Sequence, residues 1–217
     1  MFDRIAGRYD LMNRMLTLGL DQRWRRATIG EAMIGPGMRV LDLASGTGDF
    51  CELLTERGAY PVGSDLSGGM LRVARERLPG CALVEADAEA LPHPDSSFDA
   101  LTCGFALRNF VSIEPILREA ARVLERGAPL ALLDVSEPEN ALVARGHALW
   151  FRRVVPRVGG MISDKEAYSY LPASTAYLPA PDVLATMITD AGFTNVRRRT
   201  FSGGIVQLFV ATRDDRS

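Results

Sequence analysis

The residues with the clearest chemical capacity fall at three points, each just past an apolar run. "VLDLA" (40–44) leads into Ser45-Gly46-Thr47-Gly48, "YPVGS" (60–64) into Asp65, and "CALVEA" (81–86) into Asp87-Ala88. Glycines at 46 and 48 let the backbone turn tightly and approach a ligand with no Cβ in the way. A carboxylate at 65 can accept from both hydroxyls of a ribose; its other use is to cap the following helix. A carboxylate at 87 can accept from an adenine amino group while the Ala88 N–H donates to the ring; the alternative is an ordinary polar loop. A phosphate-binding loop needs Gly-Lys-Ser/Thr, which is absent, and Cys51 stands where a dinucleotide fingerprint needs its third glycine. Turn, ribose acid and adenine pair together outline adenosine with a small polar tail and no pyrophosphate. A ligand of that shape is S-adenosylmethionine.

The elements that must hold these points can be read from periodicity. Phe2, Ile5, Tyr9, Met12 and Leu16 recur at helical spacing, and "DQRWRRATIGEAM" predicts a second helix, broken at Gly35-Pro36-Gly37. Strands are predicted at "RVLDLA", "YPVGSD", "CALVEAD", "FDALTCGF" and "APLALLDVS". Helices are predicted at 50–57, at "SGGMLRVARERL" with Ser67 as N-cap, and at "SIEPILREAARVL" with Ser112 as cap. Apolar strands alternating with helices predict an α/β fold, a Rossmann-like doubly wound and mostly parallel sheet. "PDVLATMITDAGFTNVRRRTF" and "GGIVQLFVATR" predict a helix and then an antiparallel hairpin at the sheet edge. The expected organisation is one domain: a helical cap (1–34), a cofactor-binding core (35–135), and substrate-side helices with the hairpin (136–217).

Composition bounds the function. The chain has 217 residues, 47% hydrophobic, enough for one core, and a net charge of −2, which argues against nucleic acid as a partner. There is no apolar run of about 18 residues, and "MFDRIAGRYD" lacks a signal-peptide core. Cys51, Cys81 and Cys103 form no CxxC, so a reduced compartment, buried thiols and no metal are expected. Lys165 is the only lysine, a pattern that fits a GC-rich genome.

Longer stretches carry a family likeness. "FDRIAGRYDLMNRMLTLGLDQRWRR", "LDLASGTGD", "ADAEALPHPDSSFDALTCGFALRNF", "SDKEAYSYLPAS" and "AGFTNV…SGGIV" resemble the class I S-adenosylmethionine methyltransferases, and among them the quinone-biosynthesis C-methyltransferases. The resemblance implies cofactor contacts at Thr47, Asp65, Asp87 and Ala88. Asp42, Gly46, Gly48, Leu66 and Gly104, beside them along the strand ends, complete the expected set. It also implies transfer of a methyl group to a ring carbon of a prenylated quinol, with demethylmenaquinol first among the acceptors. Departures stand at Asp21-Gln22, where the family has a His-Arg pair, at Gly104, where it often has a small hydroxyl residue, at "ERGAP" for its "KPGG", and at Ala106 after Phe105.

The acceptor carbon must lie about 3 Å from the methyl, in line with it. A ring carbon beside a hydroxyl becomes nucleophilic as that hydroxyl ionises, and a guanidinium favours the ionised form. Arg108 is the expected stabiliser and Asn109 the group that orients the oxygen; the alternative is a surface ion pair and a turn former. Tyr9, Asn13 and Tyr168 are weaker candidates for lining the site, and Asp134 for facing the cleft. His93 and His147 are expected at the surface. In "ALVARGHALWFRRVVPRVGGMI" (141–162), arginines flank apolar residues. That suits peripheral contact with an anionic membrane at its cytoplasmic face, or equally a helix packed on the sheet with a solvated arginine side. A homodimer is kept open. Competing readings are a methyltransferase with another aromatic or secondary-metabolite acceptor, a dinucleotide oxidoreductase, and a catalytically silent cofactor-binding subunit.

Overall fold

Strand-forming text in this chain is apolar on both faces, so its sheet must be covered on both sides. In the computed structural model, residues 14, 17–138, 145 and 178–215 are described. Helix α1 (Leu20–Glu31) precedes β1 (Arg39–Leu43), α2 (Asp49–Glu56), β2 (Tyr60–Asp65), α3 (Gly68–Arg77), β3 (Ala82–Glu85) and β4 (Ala100–Gly104). A 3-10 turn (Leu107–Asn109), α4 (Glu114–Val123), β5 (Pro129–Val135), α5 (Pro181–Asp190), β6 (Phe193–Phe201) and β7 (Val206–Arg213) follow. The sheet order is β3-β2-β1-β4-β5-β7-β6. The first five strands pair in parallel, and β7 runs antiparallel to both β5 and β6. The hairpin foreseen at the sheet edge is therefore there, with β6 outermost.

Alternation along the strands divides the core. Leu41, Leu43, Leu101, Cys103, Leu130 and Leu132 pack towards α4 and α5. Val40, Ala100, Ala131 and Leu133 pack towards Trp24 and Ile29 of α1 and Phe50, Leu53 and Leu54 of α2. The sheet thus clamps α1 and α2 on one face and α4 and α5 on the other, which leaves the carboxyl ends of β1 to β4 facing one rim.

Local expectations are met at one helix cap and corrected elsewhere. Ser67 caps α3 as foreseen, accepting from the Met70 N–H at 3.2 Å. Ser112 does not cap α4: the N-cap is Ile113, and the Ser112 hydroxyl donates to the Glu114 carboxylate at 2.7 Å instead. Helix α1 ends at Glu31, ahead of Gly35-Pro36-Gly37, through a left-handed Met33. His93 is half-buried with its ring edge-on to Phe98, centroids 5.0 Å apart, and burial lowers its pKa. Cys51 and Cys103 are buried, whereas Cys81 is half-buried. Among the described residues no helix is long and apolar enough to cross a membrane.

Candidate active site

Strand β1 ends because the chain turns left-handed at Ala44 (φ 54°), then at Gly46 (φ 57°) and Gly48 (φ 90°). Strand β4 ends in the same way at Phe105 (φ 60°). Non-glycine residues in this region are strained, and such strain concentrates at functional sites. The two turns stand side by side, because β1 and β4 are neighbours, and between them the rim opens into a cavity of about 490 Å³.

The wall follows the strand ends in order. β1 supplies Ser45, Gly46 and Thr47; β2 supplies Ser64, Asp65 and Leu66; past β3 come Asp87, Ala88 and Glu89. Gly104, Phe105, Asn109, Phe110 and Val111 follow β4, and Arg25 and Asp49 enter from α1 and α2. Asp65 accepts from the Gly46 N–H and from the Ser67 N–H, each at 2.8 Å. The carboxylate thereby ties the glycine turn to the start of α3. A carboxylate oxygen accepts more than one hydrogen bond, so this anchoring is compatible with binding a ribose. Asp87 is exposed and accepts from the Glu89 N–H at 3.0 Å. Gly104 is required by packing: a Cβ there would lie 2.5 Å from the Phe50 ring.

Of the expected cofactor contacts, Gly46, Thr47, Asp65, Leu66, Asp87, Ala88 and Gly104 come together on this wall. Two do not. Asp42 is 1% exposed and lies beneath the turn, accepting from Thr102 Oγ1 at 2.9 Å and from Cys51 Sγ at 3.5 Å. Burial pushes its pKa up to about 7, against the pull of those two donors. Gly48 is the left-handed N-cap of α2, where a Cβ would meet Leu78 at 2.8 Å; its part is to shape the turn.

Arg108 stands beside the wall rather than among its lining residues. Asn109 is on the wall, but the Arg108 guanidinium is directed to Asp134, donating at 2.6 Å, with the side chains 7% and 1% exposed. The Val135 N–H donates to the same Asp134 oxygen at 2.7 Å. Arg108 thus ties the turn carrying Asn109 to β5 rather than forming the cavity wall. Tyr9, Asn13, Tyr168, His147 and the 141–162 segment (apart from Arg145) lie outside the described residues.

Sequence reasoning missed Arg25, Ser45, Asp49 and Ser64. For Arg25 a signal existed: it is four residues after Asp21 on a predicted helix, and the two do pair, at 3.1 Å. Four buried polar side-chain atoms lack a partner among the described residues, and three of them belong to wall residues: Arg25 Nε, Ser45 Oγ and Ser64 Oγ. Buried polar groups are normally satisfied, so such a concentration fits a wall made for a polar ligand. A volume of this size suits one small molecule, and the acid-lined end with the Ala88 amide fits a nucleoside.

Solved structures share the fold. A methyltransferase from Aquifex aeolicus that is S-adenosylmethionine-dependent superposes with a TM-score of 0.64 at 17% identity, over 87% of this chain and 88% of that one. Phosphoethanolamine N-methyltransferase 2 of Haemonchus contortus, solved in complex with S-adenosyl-L-methionine, gives 0.67 at 14% identity, over 89% and 53%. The chain thus shares the fold of S-adenosylmethionine-dependent methyltransferases. Within that class, the chain belongs to the ubiE/COQ5 methyltransferase family, which matches it over residues 1–213. It is 43% identical to the demethylmenaquinone methyltransferase of Thermus thermophilus, over 98% of this chain and all of that one. It is 42% identical to the ubiquinone/menaquinone biosynthesis C-methyltransferase of Syntrophotalea carbinolica, over 98% and 92%.

Proposed function

We propose that this enzyme methylates a ring carbon of a prenylated quinol, demethylmenaquinol first, with adenine at Asp87-Ala88, ribose at Asp65, and the acceptor ring beside Asn109. The observation that carries this reading is the strand-end wall on which these residues meet, set beside the full-length likeness to enzymes named for that substrate.

S-adenosylmethionine, when bound, supplies an electrophilic methyl on a positively charged sulfur. The chain's own task is to present a carbon to it in line and to keep water out. Phe105, Phe110, Val111 and Ile116 give the acceptor side of the wall its apolar character. The Asn109 amide, on the same side, orients the hydroxyl oxygen next to the reacting carbon. Arg108, held by Asp134, fixes the turn on which Asn109 stands and is a positioning residue. The quinol hydroxyl gives up its proton to water as the carbon becomes nucleophilic. The new C–C bond forms as the methyl's C–S bond breaks with its electron pair left on sulfur. Loss of the ring hydrogen as a proton, with reprotonation of the oxygen, restores the quinol, a net release of one proton.

A prenyl tail lives in a bilayer, so we place the reaction at the cytoplasmic face of the membrane. Leu66 and Val111, at 70% and 102% exposure, are apolar residues that line the cavity while facing solvent, a rim suited to a greasy tail.

Purified enzyme incubated with labelled S-adenosylmethionine and either demethylmenaquinol in vesicles or soluble aromatic acceptors tests the reading. Label on the quinol ring carbon is expected. Label on a soluble acceptor alone would favour a small-molecule methyltransferase, the reading suggested by the departures at Asp21, Gln22 and Gly104.

A further inference from the structure

At the end of the cavity away from Asp87 stands a cation that the adenosine reading does not use. Arg25, on α1, has a side chain 8% exposed, lines the cavity, and carries a buried Nε–H with no partner among the described residues. Its guanidinium lies 5.0 Å from the centroid of Phe105 and 5.6 Å from that of Phe50. Asp21 holds one terminal nitrogen at 3.1 Å and Asp49 the other at 3.4 Å. A guanidinium has five N–H donors in a fixed fork, so two carboxylates do not exhaust it.

Among the described residues the charges around it balance. Asp49 also faces Arg77 at 3.4 Å and Arg14 at 4.0 Å, and Arg77 pairs with Glu52 at 2.7 Å. Three guanidinium groups therefore meet three carboxylates, Asp21, Asp49 and Glu52, and the end wall shows both signs at short range. The ligand group that matches such a wall is zwitterionic. The span agrees: strands β3, β2, β1 and β4 are consecutive, so Asp87 after β3 and Phe105 after β4 stand three strand spacings apart, about 14 Å. An extended adenosyl amino acid has that reach.

We propose that Arg25 recognises the carboxylate of the amino-acid end of S-adenosylmethionine, with Asp49 beside it tolerating the ammonium. The inference rests on the orientation given above, with adenine at Asp87-Ala88. It gives α1 a direct role: the helix brings a nearly buried positive charge, screened less than one at the open surface, to the tail of the nucleoside.

Titration calorimetry with S-adenosylhomocysteine and with 5′-methylthioadenosine, the same nucleoside thioether without the amino-acid end, tests this. Wild-type protein is expected to bind the first at least about 10-fold more tightly; equal affinities overturn the proposal with no variant needed. Arg25→Gln is expected to weaken S-adenosylhomocysteine by about 10- to 100-fold and leave methylthioadenosine within about 3-fold, with Arg25→Lys intermediate. Retained methylthioadenosine binding also shows that the variant is folded; if Arg25→Gln does not fold, Arg25→Lys and the wild-type ratio carry the test. Loss of both ligands by one factor would mean that Arg25 only packs α1, and overturns the inference. Tight S-adenosylhomocysteine binding with the adenine elsewhere overturns the orientation beneath it.

Discussion

The Arg108 guanidinium donates to Asp134 across 2.6 Å, with both side chains nearly inaccessible to water. One residue stands just past β4 and the other at the end of β5, so the pair joins two strand ends at the acceptor side of the cavity. Removing one member of a buried ion pair leaves a charge without compensation, at a cost of about 3–5 kcal/mol. Asp134→Ala is therefore expected to lower the free energy of unfolding by about that amount in urea denaturation. A loss under about 1 kcal/mol would show that the pair is in effect solvated.

Arg108→Ala is expected to lower kcat more than it changes the affinity for S-adenosylhomocysteine, because the cofactor wall does not include Arg108. Arg108→Lys should restore part of kcat if the charge positions the turn through Asp134. Wild-type kinetics in Arg108→Ala would remove the residue from the account.

Asp65→Ala removes the acceptor of the Gly46 and Ser67 amides together with the proposed ribose contact. Hydrogen bonds to a charged group are worth about 1.5–3 kcal/mol, so cofactor affinity should fall by about 2 kcal/mol. Unchanged affinity by calorimetry contradicts the ribose assignment.

Gly104 and Phe50 share one space, since a Cβ at 104 would stand 2.5 Å from the ring. Gly104→Ala is expected to cost about 1–3 kcal/mol as overpacking, read as a lower Tm. Trimming the ring in a Phe50→Leu background should recover most of that loss. A tolerated Gly104→Ala would mean that Phe50 swings away at little cost.

The Asp42 carboxyl titrates near 7 in the folded protein, far above the ordinary 3.8, because it is buried. The folded state therefore keeps this proton to a higher pH than the unfolded chain does. Its stabilising contribution is complete below about pH 4 and is lost as pH rises through 7. Asp42→Asn removes the titration, so the variant should gain on wild type by about 3 kcal/mol between pH 5 and pH 8. Parallel stability profiles would contradict a protonated Asp42.

Much of this architecture was readable because its causes are local. Apolar runs closed by Gly46, Asp65 and Asp87 mark strand ends, and in a doubly wound sheet strand ends share one rim, so three distant stretches of sequence predict one site. The misreadings have a common physical source: a side chain next to a motif can point to either face. Asp42 belongs to a cofactor-loop sequence but follows the α2-facing alternation of β1 and ends beneath the turn. Arg108 precedes a wall residue but turns to Asp134, a partner 26 positions away that no spacing rule announces. Arg25 was overlooked because periodicity marks a helix and its Asp21 partner, not the cavity that tertiary packing of α1 on Phe50 creates.

A crystal structure with S-adenosylhomocysteine tests the central claim most directly. The account predicts adenine against Ala88 with its amino group at Asp87, both ribose hydroxyls on Asp65, and sulfur facing the Asn109 side of the cavity. Adenosine bound elsewhere, or lying in this cavity with its ribose turned away from Asp65, would contradict it.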